Sequence, residues 1–214
     1  LQRCRKRMPE RQGMLQLFGR VFPCAMLSKM IGQSETDACA LCSRKETPSH
    51  ILCGCPELRE IITASHDKVW RRLYEYLKLH LPGAWDLQYD AAINSMLVDG
   101  LRDSLPLNSG RTKPDGLAQN AAEQHCWLLE LARSSDFWPD SLSLARQCKH
   151  DKVGYVRLQS DLRAALPNTN VRLLTFILGD RGLFDENLWT NHLTRLGLPT
   201  IKHRGFFDLA ITGA

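Results

Sequence analysis

Two acids and a lysine follow one another along the chain in an order that could bind a metal ion and cleave a phosphate ester. Asp115 follows a Lys-Pro pair, Glu130 lies within an apolar run, and Lys152 belongs to a segment with helical periodicity. Acids at the ends of neighbouring strands can share one Mg²⁺, which prefers hard oxygen ligands and keeps several waters. A lysine on the next helix can neutralise the charge that develops on a phosphate. These residues therefore predict a centre for metal-dependent phosphoryl chemistry.

Two short strands are expected to carry the acids, over residues 111–119 and 125–133, with a turn at Gln119-Asn120. The second strand is almost continuously apolar, which is typical of a strand that is covered on both faces. Glu130 interrupts it, and a carboxylate is costly to bury unless it is paired or bound to a metal. We therefore interpret Glu130 as a metal ligand, the alternative being a strand-end charge that faces water.

A helix over residues 141–166 is predicted to hold the lysine. At about 100° per residue, Lys152 falls near the middle of its apolar stripe and Lys149 at the edge. A buried lysine needs a partner, which carboxylates and a metal would supply; otherwise it extends past the sheet edge to water. Tyr155, one turn on, either holds the same cluster or fills the core. The stripe consists of Ala145, Cys148, Val156, Gln159 and Leu166.

Other segments show the periodicity of elements that would frame this centre. Apolar residues at steps of three and four predict a helix from residue 56 to residue 81 and a second helix over 87–101. A buried strand is expected over residues 171–178, followed by a short amphipathic helix over 184–196. The tail from residue 200 to residue 214 would add a strand or act as a linker.

The cysteines are clustered in a way that predicts a structural zinc site. Cys39, Cys42, His50 and Cys55 form the spacing C-x2-C-x7-H-x4-C, with Cys53 as the alternative fourth ligand. Thiolates and imidazole at such spacing suit a closed tetrahedral zinc site. A segment of about twenty residues buries too little surface to fold unaided, so the metal would supply the folding energy. With four protein ligands, this CCHC zinc knuckle should be structural rather than catalytic.

Positive charge is concentrated at the start of the chain. Residues 1–20 contain six Lys or Arg against one acid, and the other 194 residues are balanced, so the net charge of +5 lies in the first twenty residues of a basic connector that spans residues 1–37. A basic arm on a neutral body suits contact with a phosphate backbone, the alternative being a solvated linker. The residues predicted to bind nucleic acid are Arg3, Arg5, Lys6, Arg7 and Lys113.

Composition and segment patterns argue against other classes of protein. No apolar run approaches about 18 residues and no signal-peptide pattern occurs, so we expect neither a membrane span nor secretion. Eight cysteines without an export signal favour metal binding over disulfides. The chain begins at Leu1 rather than Met, so we expect it to be part of a larger protein.

Taken together, the zinc knuckle, the Lys-Pro-Asp motif, the second acid and the helix bearing Lys-x-x-Lys-x-x-Tyr resemble one family. They are similar to the C-terminal region of non-LTR retrotransposons that carry a restriction-like endonuclease. The similarity covers roughly residues 38–185, with fourteen residues between the two acids. The residues that carry it are Cys39, Cys42, His50, Cys55, Lys113, Pro114, Asp115, Glu130, Lys149, Lys152 and Tyr155.

The resemblance implies an α/β fold with a PD-(D/E)xK restriction-endonuclease-like core over residues 85–214, a linking helix over 61–84 and the knuckle over 38–60. Asp115 and Glu130 would then bind Mg²⁺ or Mn²⁺. Lys152 would be the catalytic lysine, and Lys149 and Tyr155 would complete the helical motif. The chain departs from restriction enzymes in having Ala, not Lys, two residues after the second acid, which implies that the lysine has moved to the helix.

The implied function is nicking of chromosomal target DNA, whose freed 3′-hydroxyl primes reverse transcription of the element's RNA. The implied partners are the DNA target, RNA and the remainder of a larger reverse-transcriptase polyprotein, in the nucleus. An alternative is a catalytically inactive scaffold module that binds nucleic acid and keeps the structural zinc. A third is a zinc ribbon that serves only protein–protein contact.

Overall fold

A computed structural model describes part of the chain, namely residues 24–89, 93, 105, 112–134, 141–179 and 182–213. The predicted nucleic-acid contacts Arg3, Arg5, Lys6 and Arg7 lie outside these ranges, as does most of the predicted helix over 87–101. None of the helices in the described part combines the length and the hydropathy that crossing a bilayer demands.

The described chain contains six α-helices and four strands. The helices are α1 Ala25–Met30, α2 Arg59–His80, α3 Ser141–His150, α4 Val153–Ala165, α5 Glu186–Arg195 and α6 Thr200–Gly213. A π-helical turn, His50–Gly54, and a 3₁₀ turn, Pro56–Leu58, precede α2. The strands are β1 Asp86–Tyr89, β2 Gly116–Asn120, β3 His125–Ser134 and β4 Asn170–Gly179. Three of these strands lie between α2 and α3 along the chain.

The four strands form one small mixed sheet in the order β1-β2-β3-β4. β1, β2 and β3 are antiparallel neighbours, and β4 runs parallel to β3. Parallel neighbours require a crossover connection, and α3 and α4 provide it. The fold is therefore α/β, with a four-stranded mixed sheet flanked by helices.

Alternate residues of β3 face opposite sides of the sheet, and helices cover both sides. Trp127 and Leu129 pack with Phe176 in a core beneath α2, α5 and α6. Cys126 and Leu128 pack in a second core, which includes the buried face of α4. This two-sided burial confirms the reading of β3 as a covered strand and explains its almost continuous apolar sequence.

Two helices, α3 and α4, replace the single helix predicted over residues 141–166. The backbone is not helical at Lys152, whose ψ is 116°, so α4 begins with a new rotational phase. Val156, assigned to the buried stripe, is exposed. The prediction that Lys152 lies in the middle of a buried stripe is wrong, because Lys152 is itself exposed. The buried residues of α4 are Tyr155, Leu158 and Leu162.

Three other element assignments differ from the sequence predictions. Residues 87–89 belong to β1 rather than to a helix, because they pair with β2. The turn between β2 and β3 occupies residues 121–124, not Gln119-Asn120. The tail forms α6 rather than a strand or linker, because Phe206 and Ala210 lie one turn apart and bury against the sheet.

Candidate functional site

The four predicted zinc ligands converge. The ligand atoms of Cys39, Cys42, His50 and Cys55 all lie within 4.8 Å of one another. Cys42 Sγ lies 3.2 Å from His50 Nε2 and 3.9 Å from Cys55 Sγ. Thiolates bound tetrahedrally at 2.3 Å from zinc would place their sulfurs about 3.8 Å apart. This cysteine cluster could therefore hold a metal such as zinc.

Two local backbone features bring these ligands together. In the first, Ser43 adopts a φ of 60° and donates its N–H to the Cys39 carbonyl at 2.8 Å, which closes a tight turn around the first two cysteines. In the second, the π-helical turn carries His50 and delivers the chain to Cys55. Cys53 is not among the four converging residues and lines a neighbouring cleft. Cys55 is therefore the fourth member of the cluster.

That neighbouring cleft contains both predicted metal-binding acids. It has a volume of about 290 Å³, and its walls include Asp115, Glu130, His66, Arg133 and Lys149. Gly116 at the start of β2 pairs with Leu129 of β3, so Asp115 continues that register to a point opposite Glu130. We call this site the acid cleft.

Glu130 is held by two partners from the crossover helices. It is only 4% exposed, and Lys149, at the end of α3, makes an ion pair with Oε1. The Tyr155 hydroxyl donates a hydrogen bond to Oε2. Burial raises the pKa of Tyr155, and the nearby Glu130 charge raises it further, so the hydroxyl keeps its proton. These contacts make burial of the carboxylate tolerable.

Asp115 is fixed by its backbone and by one carboxylate oxygen. Its carbonyl accepts a hydrogen bond from Trp70 Nε1 at 2.6 Å, and its Oδ2 accepts one from the Leu131 N–H at 2.7 Å. The following Gly116 permits this approach, because a Cβ there would lie 3.1 Å from the Trp70 ring and 3.2 Å from the Gln88 carbonyl. Since both contacts avoid Oδ1, that oxygen can serve a ligand.

His66 is a residue of the cleft that the sequence patterns did not single out. Its Nε2 lies 2.9 Å from the Leu131 carbonyl and 3.5 Å from Asp115 Oδ2. Burial lowers the pKa of His66, but the hydrogen bond and charge of Asp115 outweigh it and raise the pKa to about 9. The available signal was its place one turn before Trp70 and two before Leu73 on the buried face of α2.

The two candidate lysines occupy different positions. Lys149 contacts Glu130, whereas Lys152 lies at the exposed start of α4, with Nζ 4.9 Å from the centre of the Tyr155 ring. Lys113 is exposed, two residues before Asp115. Of the two lysines, Lys149 therefore makes the contact with the acid that was expected of Lys152.

Cationic and anionic groups alternate around the acid cleft. Lys149 faces Glu130, His66 faces Asp115, and Arg133 reaches the same wall, where its Nη1 donates to Ser65 Oγ at 3.0 Å. The chain matches no protein family and no curated protein. Carboxylate oxygens suit a hard divalent cation, and the surrounding cations suit an anionic ligand such as a phosphate. The acid cleft therefore presents oxygen donors suited to a cation beside cationic groups suited to an anion.

Proposed function

We propose that the acid cleft is the centre of a metal-dependent endonuclease that hydrolyses a phosphodiester bond in DNA. The observation that carries this proposal is that Asp115, Glu130 and Lys149 line one cleft, although they come from separate parts of the chain. Tyr155 joins them through its hydrogen bond to Glu130. We further propose that the sheet is a PD-(D/E)xK core, since its two acids stand on adjacent antiparallel strands.

Asp115 and Glu130 would hold Mg²⁺ or Mn²⁺, which when bound activates water and polarises the scissile phosphate. Lys149 stabilises the negative charge that develops on the phosphate and forms an ion pair with the buried Glu130. Tyr155 holds Glu130 in place through its hydroxyl in the metal-free site. Lys152, exposed above the Tyr155 ring, contacts a flanking phosphate of the DNA.

The biological role that we propose is target-DNA nicking for retrotransposon insertion in the nucleus. Its support is the order of the zinc knuckle, the two acids and the Lys-x-x-Lys-x-x-Tyr helix along the chain. In this role the protein works within a larger reverse-transcriptase polyprotein and meets both DNA and RNA. The contacts with the phosphate backbone come from Lys113 and from the basic residues Arg3, Arg5, Lys6 and Arg7.

A plasmid-nicking assay tests the proposal. Wild-type protein is expected to convert supercoiled DNA to the open circle with Mg²⁺ or Mn²⁺ and to stop with EDTA. Asp115→Ala and Glu130→Gln should each lower the rate by about 10²–10³-fold, as the loss of one charge-stabilising group does elsewhere. Glu123→Gln, which changes an exposed acid in the turn before β3, is the matched control. If wild type and Asp115→Ala nick the plasmid at the same background rate, the nuclease proposal is ruled out.

The same site supports a second candidate, an inactive scaffold that binds nucleic acid. The observation in its favour is that Lys149 and Tyr155 already engage both oxygens of Glu130, and a metal would have to compete with them. This candidate predicts salt-dependent DNA binding that is unaffected by Glu130→Gln, with no nicking by either protein. A gel-shift titration at two salt concentrations, run beside the nicking assay, separates the two candidates.

A further inference from the structure

We propose that His66 is a positioning residue of the acid cleft, which holds Asp115 and the Leu131 peptide in the arrangement that receives the divalent ion. The inference rests on the proposed function, because it assigns His66 a role toward that ion. It adds to the site a residue from α2, on the opposite side of the sheet from Lys149 and Tyr155.

The partners of the ring indicate which atoms of His66 carry protons. The Leu131 carbonyl oxygen can only accept a hydrogen bond, so Nε2, at 2.9 Å, is a donor. The Asp67 carboxylate lies 3.1 Å from Nδ1 and accepts from it in the same way. A ring nitrogen that carries a proton has no lone pair for a metal. His66 therefore acts on the ion through its neighbours and does not bind it directly.

Three groups close a ring of contacts at this point. The Leu131 N–H donates to Asp115 Oδ2 at 2.7 Å, the Leu131 carbonyl faces His66 Nε2, and Nε2 lies 3.5 Å from the same Asp115 oxygen. Both backbone polar groups of Leu131 are thus fixed, and Glu130 is the residue directly before it. The His66 imidazole therefore restrains the backbone beside Glu130 and the side chain of Asp115. It turns Asp115 so that Oδ1 can face the ion.

The consequence is a measurable loss of metal affinity when the contact with Leu131 is removed. Residues that orient metal ligands typically contribute about 10–100-fold in affinity. His66→Asn and His66→Gln form a matched pair, because the Asn amide reaches only the position of Nδ1, whereas the Gln amide reaches that of Nε2. Thr63→Ala, on the same wall of the cleft, leaves both acids and His66 in place and serves as the control.

The experiment is an Mn²⁺ titration of the zinc-loaded, DNA-free protein, followed by electron paramagnetic resonance. His66→Asn should bind Mn²⁺ at least about 10-fold more weakly than wild type, His66→Gln within about 3-fold, and Thr63→Ala unchanged. Thermal melting of each variant shows that the fold is kept. A purely structural role for His66 would lower the melting temperature of His66→Asn without changing its affinity.

Each outcome distinguishes this inference from the proposed function. If Asp115→Ala binds Mn²⁺ as tightly as wild type, the acid cleft is not a metal site and the proposed function fails with it. If Asp115→Ala loses binding while His66→Asn retains wild-type affinity, the inference about His66 alone is wrong. Equal losses in His66→Asn and His66→Gln would also overturn it, because donation to Leu131 would then not be the property that matters.

Discussion

The cysteine cluster and the acid cleft lie close together but are built on opposite principles. The ligands of the cluster fall within seventeen residues, from Cys39 to Cys55, and short turns bring them together. The acid cleft joins α2, the start of β2, β3 and the end of α3. The first arrangement is local, whereas the second exists only once the sheet has formed.

The two sites also differ in how they are held without a metal. In the cysteine cluster, thiolates and an imidazole face one another, and the segment around them carries little buried apolar surface. In the acid cleft each acid already has partners, Lys149 and Tyr155 for Glu130 and His66 for Asp115. The cluster should therefore need its ion to fold, while the cleft should be fully formed before its ion arrives.

Loss of a zinc ligand should have the largest effect and would sharpen this contrast most. Cys42→Ser is expected to abolish zinc retention and unfold the knuckle, since structural zinc in such small units is worth about 10–16 kcal/mol. The sheet should remain folded. Elemental analysis measures the zinc content, and amide NMR spectra show which of the knuckle and the sheet is folded. Cys53→Ser, outside the cluster, is the control. Loss of zinc from Cys53→Ser would show that Cys55 is the wrong assignment for the fourth ligand.

Removing the cation beside Glu130 should destabilise the metal-free sheet. Lys149→Met leaves a buried carboxylate without its ion pair, and breaking such a pair costs about 3–5 kcal/mol. Because the Lys149 side chain is 30% exposed, we expect the free energy of unfolding measured in urea to fall by about 3 kcal/mol. Saturating Mg²⁺ should recover part of the loss by binding in place of the ammonium.

The exposed Lys152 supplies the matched control for that measurement. Lys152→Met should change stability by less than about 0.5 kcal/mol, as surface substitutions usually do. Equal losses for the two lysine variants would mean that the contact between Lys149 and Glu130 does not stabilise the cleft. The statement that the acid cleft is fully formed before its ion arrives would then be wrong.

Removal of the Tyr155 hydroxyl should have a smaller effect of the same kind. Tyr155→Phe takes one hydrogen bond from a buried carboxylate, which costs about 2 kcal/mol for a charged acceptor. Because it also frees Glu130 Oε2, Mn²⁺ affinity should stay the same or rise. Urea unfolding and metal titration on one preparation test both statements. A large fall in affinity would show that Tyr155 is needed to orient Glu130 toward the ion.

The smallest expected effect concerns pH, and it separates the sheet from the zinc knuckle. Burial and then the charges of Arg195 and Arg146 lower the pKa of His192 to about 4. As the pH falls, the unfolded chain binds a proton at His192 before the folded protein does. The stabilisation is therefore complete above the ordinary pKa of 6.5 and is lost as the pH falls toward 4. From about pH 7 to pH 5.5 this amounts to about 1 kcal/mol.

The control for the pH measurement removes the titrating group. His192→Asn should remove this contribution from the pH dependence of sheet unfolding, so that the variant loses less stability than wild type between about pH 7 and pH 5.5. Excess zinc should restore only the knuckle, whose ligands are protonated in acid. Near-UV circular dichroism in urea at a series of pH values follows the sheet. An unchanged slope in His192→Asn would show that this histidine is not the group that titrates.

The contrast between the two sites also explains what the sequence could reveal. Cys39, Cys42, His50 and Cys55 could be chosen from spacing because a tight turn and a short loop are local structures. The strand carrying Glu130 was equally visible, since a covered strand has an apolar sequence on both faces. The acids Asp115 and Glu130 could be paired because antiparallel neighbours share one register.

The rest of the cleft depends on tertiary contacts with no local signal. No proline marks the break between α3 and α4 at Lys152, and the neighbouring Gly154 lies within α4. Helical periodicity continued across the break therefore pointed to Lys152, whereas Lys149 makes the contact with Glu130. His66 lies on a helix far from Asp115 in sequence, and only the packing of α2 against the sheet brings them together. Residues 87–89 became a strand because β2 offered a partner, which their own composition does not reveal.

A crystal of the zinc-loaded protein soaked in Mn²⁺ tests most directly whether the acid cleft is a metal-dependent nuclease centre. We expect two anomalous signals, one from zinc in the cysteine cluster and one from manganese between Asp115 and Glu130, with His66 still donating to Leu131. A zinc signal alone at saturating Mn²⁺, with Glu130 still engaged by Lys149 and Tyr155, would contradict that assignment and leave the scaffold candidate.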